Sequence, residues 1–391
     1  MANEDRSLIS LPDISLANTT AGAQRIMSAM IEETLALVGV AAVGPVDLDA
    51  LVREGIRLYL SEGDFTEANT RPFGLFLRAA EGGHSEAQYC LGLCYWNGEG
   101  VSQDYEKAIK WYREAAEQGF AEAQIELGIC YEMGRGVPQD YAEALKWKRK
   151  AAEQGDAGEQ YWLGHRYCNG RGVQQDYVEG AKWYRKAAEQ EDARGQSSLG
   201  DCYFFGQGVP QDYAESVQWY RNAAEGGLAH AQWRLGHCYY FGKGISEDHE
   251  EAVKWYRKAA EKGHAGGQYA LGRCYDFFGR GIPRDYVEAF KWYRKAAEQG
   301  HAGGQCALGW CYNKGRGVPQ DYVEAVNWFR RAAEQRHASG QYALGWCYYE
   351  GQGVPQNFAE AVKWCQLAAD QGNAEANIVL GKFKDGHAAK Q

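Results

Sequence analysis

The chain is 391 residues long, 45% hydrophobic and 24% charged, a balance that excludes both a disordered chain and a membrane-embedded one. Its 49 glycines against 8 prolines point to many short turns of one design rather than to low-complexity sequence. The formal net charge of −10 is uneven, with −6 in residues 1–84, and no block of Lys or Arg supplies the footprint that a phosphate backbone requires, so no nucleic-acid partner is expected.

Residues 1–18 open with Glu4, Asp5 and Arg6 and have no apolar stretch close behind. They read as a disordered terminus rather than a secretory signal, so a cytoplasmic protein is expected. Residues 19–48 carry a helix with Ile26, Met27, Met30, Ile31, Leu35 and Val38 along it, ended by Gly44 and Pro45. The longest candidate for a membrane span, residues 34–46, is shorter than the ~18–20 uncharged apolar residues required, so no membrane insertion is expected. Residues 49–84 read as a degenerate N-capping repeat: residues 55–59 fall where later units carry Leu-Gly-x-Cys-Tyr, and residues 79–83 match their Ala-Ala-Glu-Gln-Gly.

From residue 85 the sequence repeats. Leu-Gly pairs recur at Leu91, Leu127, Leu163, Leu199, Leu235, Leu271, Leu308, Leu344 and Leu380, every step 36 residues except one of 37, where one residue is inserted at Phe277/Phe278. A period of this size signals stacked supersecondary units. In the unit at residues 121–156, Ala123, Leu127 and Tyr131 fall on one face of a helix that Gly134 and Gly136 stop. A second helix starts at Asp140, with Glu143 placed for a capping box, carries Tyr141, Ala144, Leu145, Trp147, Ala151 and Ala152, and ends at Gly155. One such pair cannot bury its apolar face alone, but stacking makes the core continuous. Gly128 and its equivalents remove a side chain where two helices approach. Eight units fill residues 85–372, succeeded by a C-terminal capping helix at 373–386 and a disordered tail at 387–391.

The pattern A-x-x-Q-x-x-L-G-x-x-Y, then G-x-G-V-x-x-D-Y, then A-x-x-W-Y-x-x-A-A, resembles the Sel1-like repeat, a relative of the tetratricopeptide repeat with a longer turn, over residues 85–386. The resemblance implies an all-α, right-handed superhelical solenoid that acts as an adaptor or scaffold. It implies settings such as membrane-associated degradation complexes, signalling assemblies and bacterial surface or secreted proteins. One cysteine-rich bacterial branch of that family bridges the two helices of each unit with paired cysteines. This chain lacks the second cysteine, which argues against the penicillin-binding or β-lactamase activity attributed to that branch.

The second helix is nearly identical in every unit, as expected of a solvated outer face. The first helix varies at three positions: two before the repeated Leu, two after it and five after it. These form one stripe at i, i+4, i+7. In stacked helical repeats the first helices line the concave surface, so the stripe is expected to floor a groove for a partner protein or peptide. The expected contacts are Trp96, Phe204, His237, Tyr240, Arg273, Trp310, Trp346 and Tyr349. The column before the Leu, with Tyr89, Tyr161, Tyr269 and Tyr342, is equally open to packing between units.

Catalytic and cofactor chemistry finds no foothold. Seven cysteines (Cys94, Cys130, Cys202, Cys238, Cys274, Cys311 and Cys347) share one column. Helices packed ~8–10 Å apart hold them beyond the ~4.4–6.8 Å Cα separation of a disulfide. Cys90/Cys94 and His165/Cys168 each offer only two metal ligands, and the Gly-x-Gly turns lack the strand and Lys of a phosphate loop. No cofactor, no metal and no catalytic residue is therefore expected. The alternative reading is a regulator or activator of a membrane or cell-wall enzyme, or a hydrolase acting on cell-wall material. It requires a localised polar cluster with shifted pKa values.

Overall fold

The computed structural model describes residues 47–61, 71–277 and 281–388; the expectations for residues 1–18 and for nearly all of the helix at 19–48 lie outside them. Every secondary-structure element among the described residues is an α-helix. A helix pair, α1 (Leu48–Ser61) and α2 (Arg71–Glu81), precedes the repeats. In the repeats, odd numbers mark first helices and even numbers second helices: α3 (Ser85–Asn97), α4 (Tyr105–Glu117), α5 (Ala121–Met133), α6 (Tyr141–Glu153), α7 (Ala157–Asn169), α8 (Tyr177–Glu189), α9 (Ala193–Phe205), α10 (Tyr213–Glu225), α11 (Ala229–Phe241), α12 (His249–Glu261), α13 (Ala265–Asp276), α14 (Tyr286–Glu298), α15 (Ala302–Lys314), α16 (Tyr322–Glu334), α17 (Ala338–Glu350) and α18 (Phe358–Asp370). The last helix, α19 (Ala374–Ala388), runs past the expected end at residue 386, into the expected tail. None of these helices is long and apolar enough to cross a membrane.

The chain forms two compact units, residues 1–159 and 160–391. In the first, α1 to α6 pack in series, each against its neighbour in the chain; in the second, the same holds from α8 to α19. The architecture is thus an all-α solenoid of consecutive helix pairs. In the second unit α11, α13, α15 and α17 also touch their first-helix neighbours, and no pair of second helices is in comparable contact.

Local chemistry sets the helix ends. Asp140 lies in extended backbone, and its carboxylate accepts the N–H groups of Ala142 and Glu143 at 2.9 and 3.1 Å, satisfying donors that the helix leaves free. The reciprocal half of the capping box is not made. The Asp140 N–H donates instead to the Tyr131 carbonyl at 2.9 Å, and the Glu143 carboxylate turns to Lys146. In other repeats the equivalent Glu accepts from the Trp indole, as Glu179 does from Trp183 at 3.0 Å. The long turn explains this, because it returns the chain antiparallel to the first helix and supplies a backbone acceptor. At the other end Gly134 takes φ +67°, and its N–H closes on the Cys130 carbonyl. At the insertion α13 ends instead on Phe277 in extended conformation.

The core is built from Ala, Leu, Cys and, in most repeats, one ring of the second helix. Leu91, Leu127, Leu163, Leu199, Leu235 and Leu271 are fully buried, a contribution of about 2 kcal/mol each. In six repeats the glycine after the Leu faces a ring of the second helix, as a Cβ on Gly236 would lie 2.7 Å from Tyr256; Gly128 faces Lys148 instead and Gly345 faces Cys365. The described cysteines are free, and all are buried except half-buried Cys168.

A buried glutamine explains the fixed Gln of the first helix. The Gln124 amide donates to the Ala116 carbonyl of the preceding second helix at 3.0 Å, and its oxygen accepts from Gln154, at the end of its own second helix, at 2.8 Å. Three consecutive helices are tied through one amide. The relay recurs at Gln88, Gln268, Gln305 and Gln341. It breaks where the outer Gln is replaced by Gly226 and Lys262; the Gln232 oxygen is left buried without a hydrogen-bond partner, and Lys262 reaches the Gly227 carbonyl instead.

Candidate functional site

The variable columns of the first helices are laid out unevenly. The column two before the Leu faces inward. Tyr89 is buried against Tyr112 and Phe120, and half-buried Tyr269 packs on Tyr293 and His301, so this column serves mainly to join units. The other two columns are half-buried at Trp96, Phe204, His237, Arg273, Trp310, Trp346 and Tyr349. Tyr240 is the exception: it is buried among Phe241, His249 and Tyr256, so it offers little to a partner. Trp96 belongs to the first unit and the remainder to the second.

In the second unit these side chains meet across repeats. The Phe204 ring lies 6.0 Å from His237 of the next first helix, and Arg234 lies 6.0 Å over Phe204, 5.2 Å over Phe205 and 4.8 Å over Trp233. Farther along, Arg273 lies 5.9 Å over Tyr269, Trp310 packs edge-on to Phe329 with Lys314 5.6 Å above it, and Trp346 neighbours Tyr349 at 5.8 Å. The face is therefore a run of aromatic rings interleaved with cations.

Beneath it sits a satisfied ionic cluster. The Asp201 carboxylate is 2.9 Å from the Arg234 guanidinium and 3.4 Å from His230, and it accepts the Tyr220 hydroxyl at 2.5 Å. Burial would raise this carboxyl, but Arg234, His230 and Tyr220 together outweigh that and hold it at about 2. It is a permanent counter-ion, not a proton-transfer group at neutral pH. His264 has the opposite fate. Burial, then the charges of His230, His301 and Arg234, bring it down to about 3, while its Nδ1 caps α13 by accepting the Gly267 N–H at 3.0 Å.

The first unit carries a different cluster. Lys148 occupies the ring position held by Tyr112, Tyr184, Tyr220, Tyr256 and Tyr293 elsewhere, over Gly128. Its ammonium lies 3.3 Å from Glu132 and 4.0 Å from Glu159, with its side chain 6% exposed. Glu126 faces the same group, and burial raises its carboxyl to about 7 although Lys148 pulls it down. Burial likewise lowers Lys148, against the pull of Glu159 and Glu126.

Three sets of residues escape a reading of the three columns alone. Glu126 and Arg234 occupy the position just before the Leu, which is otherwise Cys, Trp, Ser or Ala. Lys148 departs from a second-helix motif taken as uniform. Phe205, Phe241 and Phe277, six after the Leu, are 42%, 48% and 49% exposed in three successive repeats. Aligning every column of the repeat, rather than the most variable ones, exposes all three.

Eight consecutive stretches, residues 85–120, 121–156, 160–192, 193–228, 229–264, 265–301, 302–337 and 338–373, match the model of the Sel1 repeat. Among solved structures the chain is similar to a Sel1 repeat protein from Oxalobacter formigenes, with 31% identity over 90% of this chain and 99% of that one and a TM-score of 0.61. It is also similar to c5321, a protective antigen present in uropathogenic Escherichia coli strains and displaying an SLR fold. That match has 33% identity over 87% of this chain and 88% of that one, with a TM-score of 0.50. No curated protein matches the chain.

Proposed function

This chain belongs to the Sel1 repeat family, and from that premise we propose that it holds a partner protein, through an extended peptide or a helix, on the face formed by its first helices. Sel1 repeat proteins are generally protein-interaction scaffolds. The observation that carries the reading here is the half-buried run of Phe204, His237, Arg273, Trp310, Trp346 and Tyr349 on first helices that crowd against one another. Aromatic and Arg side chains that are partly desolvated and packed from behind lose little further entropy when a partner covers them.

The enzyme reading has one observation in its favour, the Glu126 carboxyl at about 7, a value suited to proton transfer. Burial accounts for that value without catalysis, and Lys148 only draws the carboxyl back toward its ordinary range.

The test replaces Trp310, Trp346 and Arg273 together by Ala and compares affinity-captured partners with those of the unaltered chain. Loss of partners with the helical circular dichroism preserved is expected. An unchanged set of partners rejects the face.

A further inference from the structure

We propose that the partner segment received by the second unit is acidic, with apolar side chains at regular spacing, and that it lies across the row of Phe205, Phe241 and Phe277. This deepens the interaction reading above and rests on it. Three large rings in one column of three successive repeats are left 42–49% exposed, where isolated water-facing apolar side chains are ordinary but an aligned row marks an interface. Each ring has a cation or imidazole beside it: Arg234 at 5.2 Å from Phe205, His237 at 4.5 Å from Phe241 and Arg273 at 6.0 Å from Phe277.

The ionic balance of the same helices selects the sign of the partner. Helices α9, α11, α13 and α15 carry Arg194, Arg234, Arg273 and Lys314 against only Asp201 and Asp276. Asp201 is taken by Arg234 and His230, Asp276 has Arg316 at 3.7 Å, and Arg194 pairs with the capping Asp192 at 3.0 Å. Arg273 and Lys314 have no carboxylate at ion-pair distance among the described residues. The face thus holds unmatched positive charge next to exposed rings. Neighbouring helices stand ~8–10 Å apart, and a chain in the polyproline II conformation advances ~3.1 Å per residue with about three residues per turn, so an apolar side chain at every third position meets successive rings, with carboxylates between them.

The experiment selects peptides from a random library on the full chain and then measures one enriched peptide by fluorescence anisotropy. Enriched sequences are expected to carry more Asp and Glu than Lys and Arg. The peptide should lose about tenfold in affinity on Phe241→Ala and about threefold on Arg273→Gln, and weaken with added salt. Replacing its acids by amides should lower affinity for the unaltered chain but add no further loss in Arg273→Gln. Phe241 is exposed and Arg273 half-buried, and circular dichroism verifies the fold of each variant.

Basic or neutral enriched peptides, indifference to Phe241→Ala, or self-association of the chain that Phe241→Ala abolishes would each overturn the proposal. Peptides that depend on Trp310 and Trp346 but carry no acidic excess overturn it while leaving the interaction face intact. A library that enriches nothing, or peptides insensitive to every first-helix variant, removes both.

Discussion

The first helices α3 and α5 carry Glu86, Glu122, Glu126 and Glu132 and no Lys or Arg, whereas those from α9 to α15 carry an excess of cations among rings. The second helices paired with them are nearly the same in both units. A single scaffold thus presents an acidic first-helix series in one unit and an aromatic, cationic one in the other. Where the difference reaches the core, it does so in one repeat: the ring held by Tyr112 in the first unit and by Tyr220 in the second is replaced by Lys148 in residues 121–156. The lesson is that a repeat tolerates a change of chemical character on its first helix provided that the core beneath supplies the counter-charge, as Lys148 does for Glu126, Glu132 and Glu159 and as Arg234 does for Asp201.

The sharpest way to break this contrast is to remove the buried cation. Lys148→Ala leaves carboxylates facing one another without it and should destabilise the first unit by about 3–5 kcal/mol. The paired change Lys148→Tyr with Glu126→Ala, which writes the second unit's pattern into the first, should recover most of the loss. Urea unfolding combined with hydrogen exchange in α5 and α6 reads both, and an unchanged midpoint for Lys148→Ala would show that the cluster holds nothing.

Acidity separates the units next. Glu126 binds its proton more tightly folded, at about 7, than unfolded, near 4.5, so the folded chain holds more protons in that window and stability from this group falls as pH rises through it. The effect should be ~3 kcal/mol and should vanish in Glu126→Gln. His264 works in the other direction. Folding brings it to about 3 from an ordinary 6.5, so its contribution is present above 6.5 and lost as pH falls toward 3. His264→Asn keeps a cap of the kind seen at Asn357 and should flatten that acid loss, at a neutral-pH change of about 1 kcal/mol or less. Residue-resolved exchange between pH 4.5 and 7 should show α5 and α6 gaining protection on acidification while the start of α13 loses it. Parallel changes would refute the contrast. The smallest effect is Lys262→Gln, which restores the broken amide relay at Gln232 and should stabilise the second unit by about 0.5–1 kcal/mol, measured as a rise in unfolding midpoint.

Most of the fold was legible because it is encoded within a few residues. Asp140 caps the second helix of its repeat, Gly134 ends the first, and the 36-residue period states how many times this happens. The half-buried setting of Trp310 and Trp346 was legible because variation against a fixed background marks a position freed from the core. Tyr240 was not, since its burial depends on Tyr256 and His249 packed against it rather than on its own column. Lys148 was hidden by its motif: a lysine in a run of Lys, Arg and Glu reads as solvated, and only the inward direction of that column reveals it as buried. The partnership of Asp201 with Arg234 and His230 spans two repeats and has no local signature.

The amide relay has a mechanical corollary. Because each intact Gln clamps three helices, a pulling force applied along the array must rip a clamp for every repeat it extracts, and the clamps resist as a series of equal catches. At Gly226 and Lys262 two adjacent catches are missing. A molecule stretched by its ends should yield first between α9 and α12, giving this stack a built-in tear line.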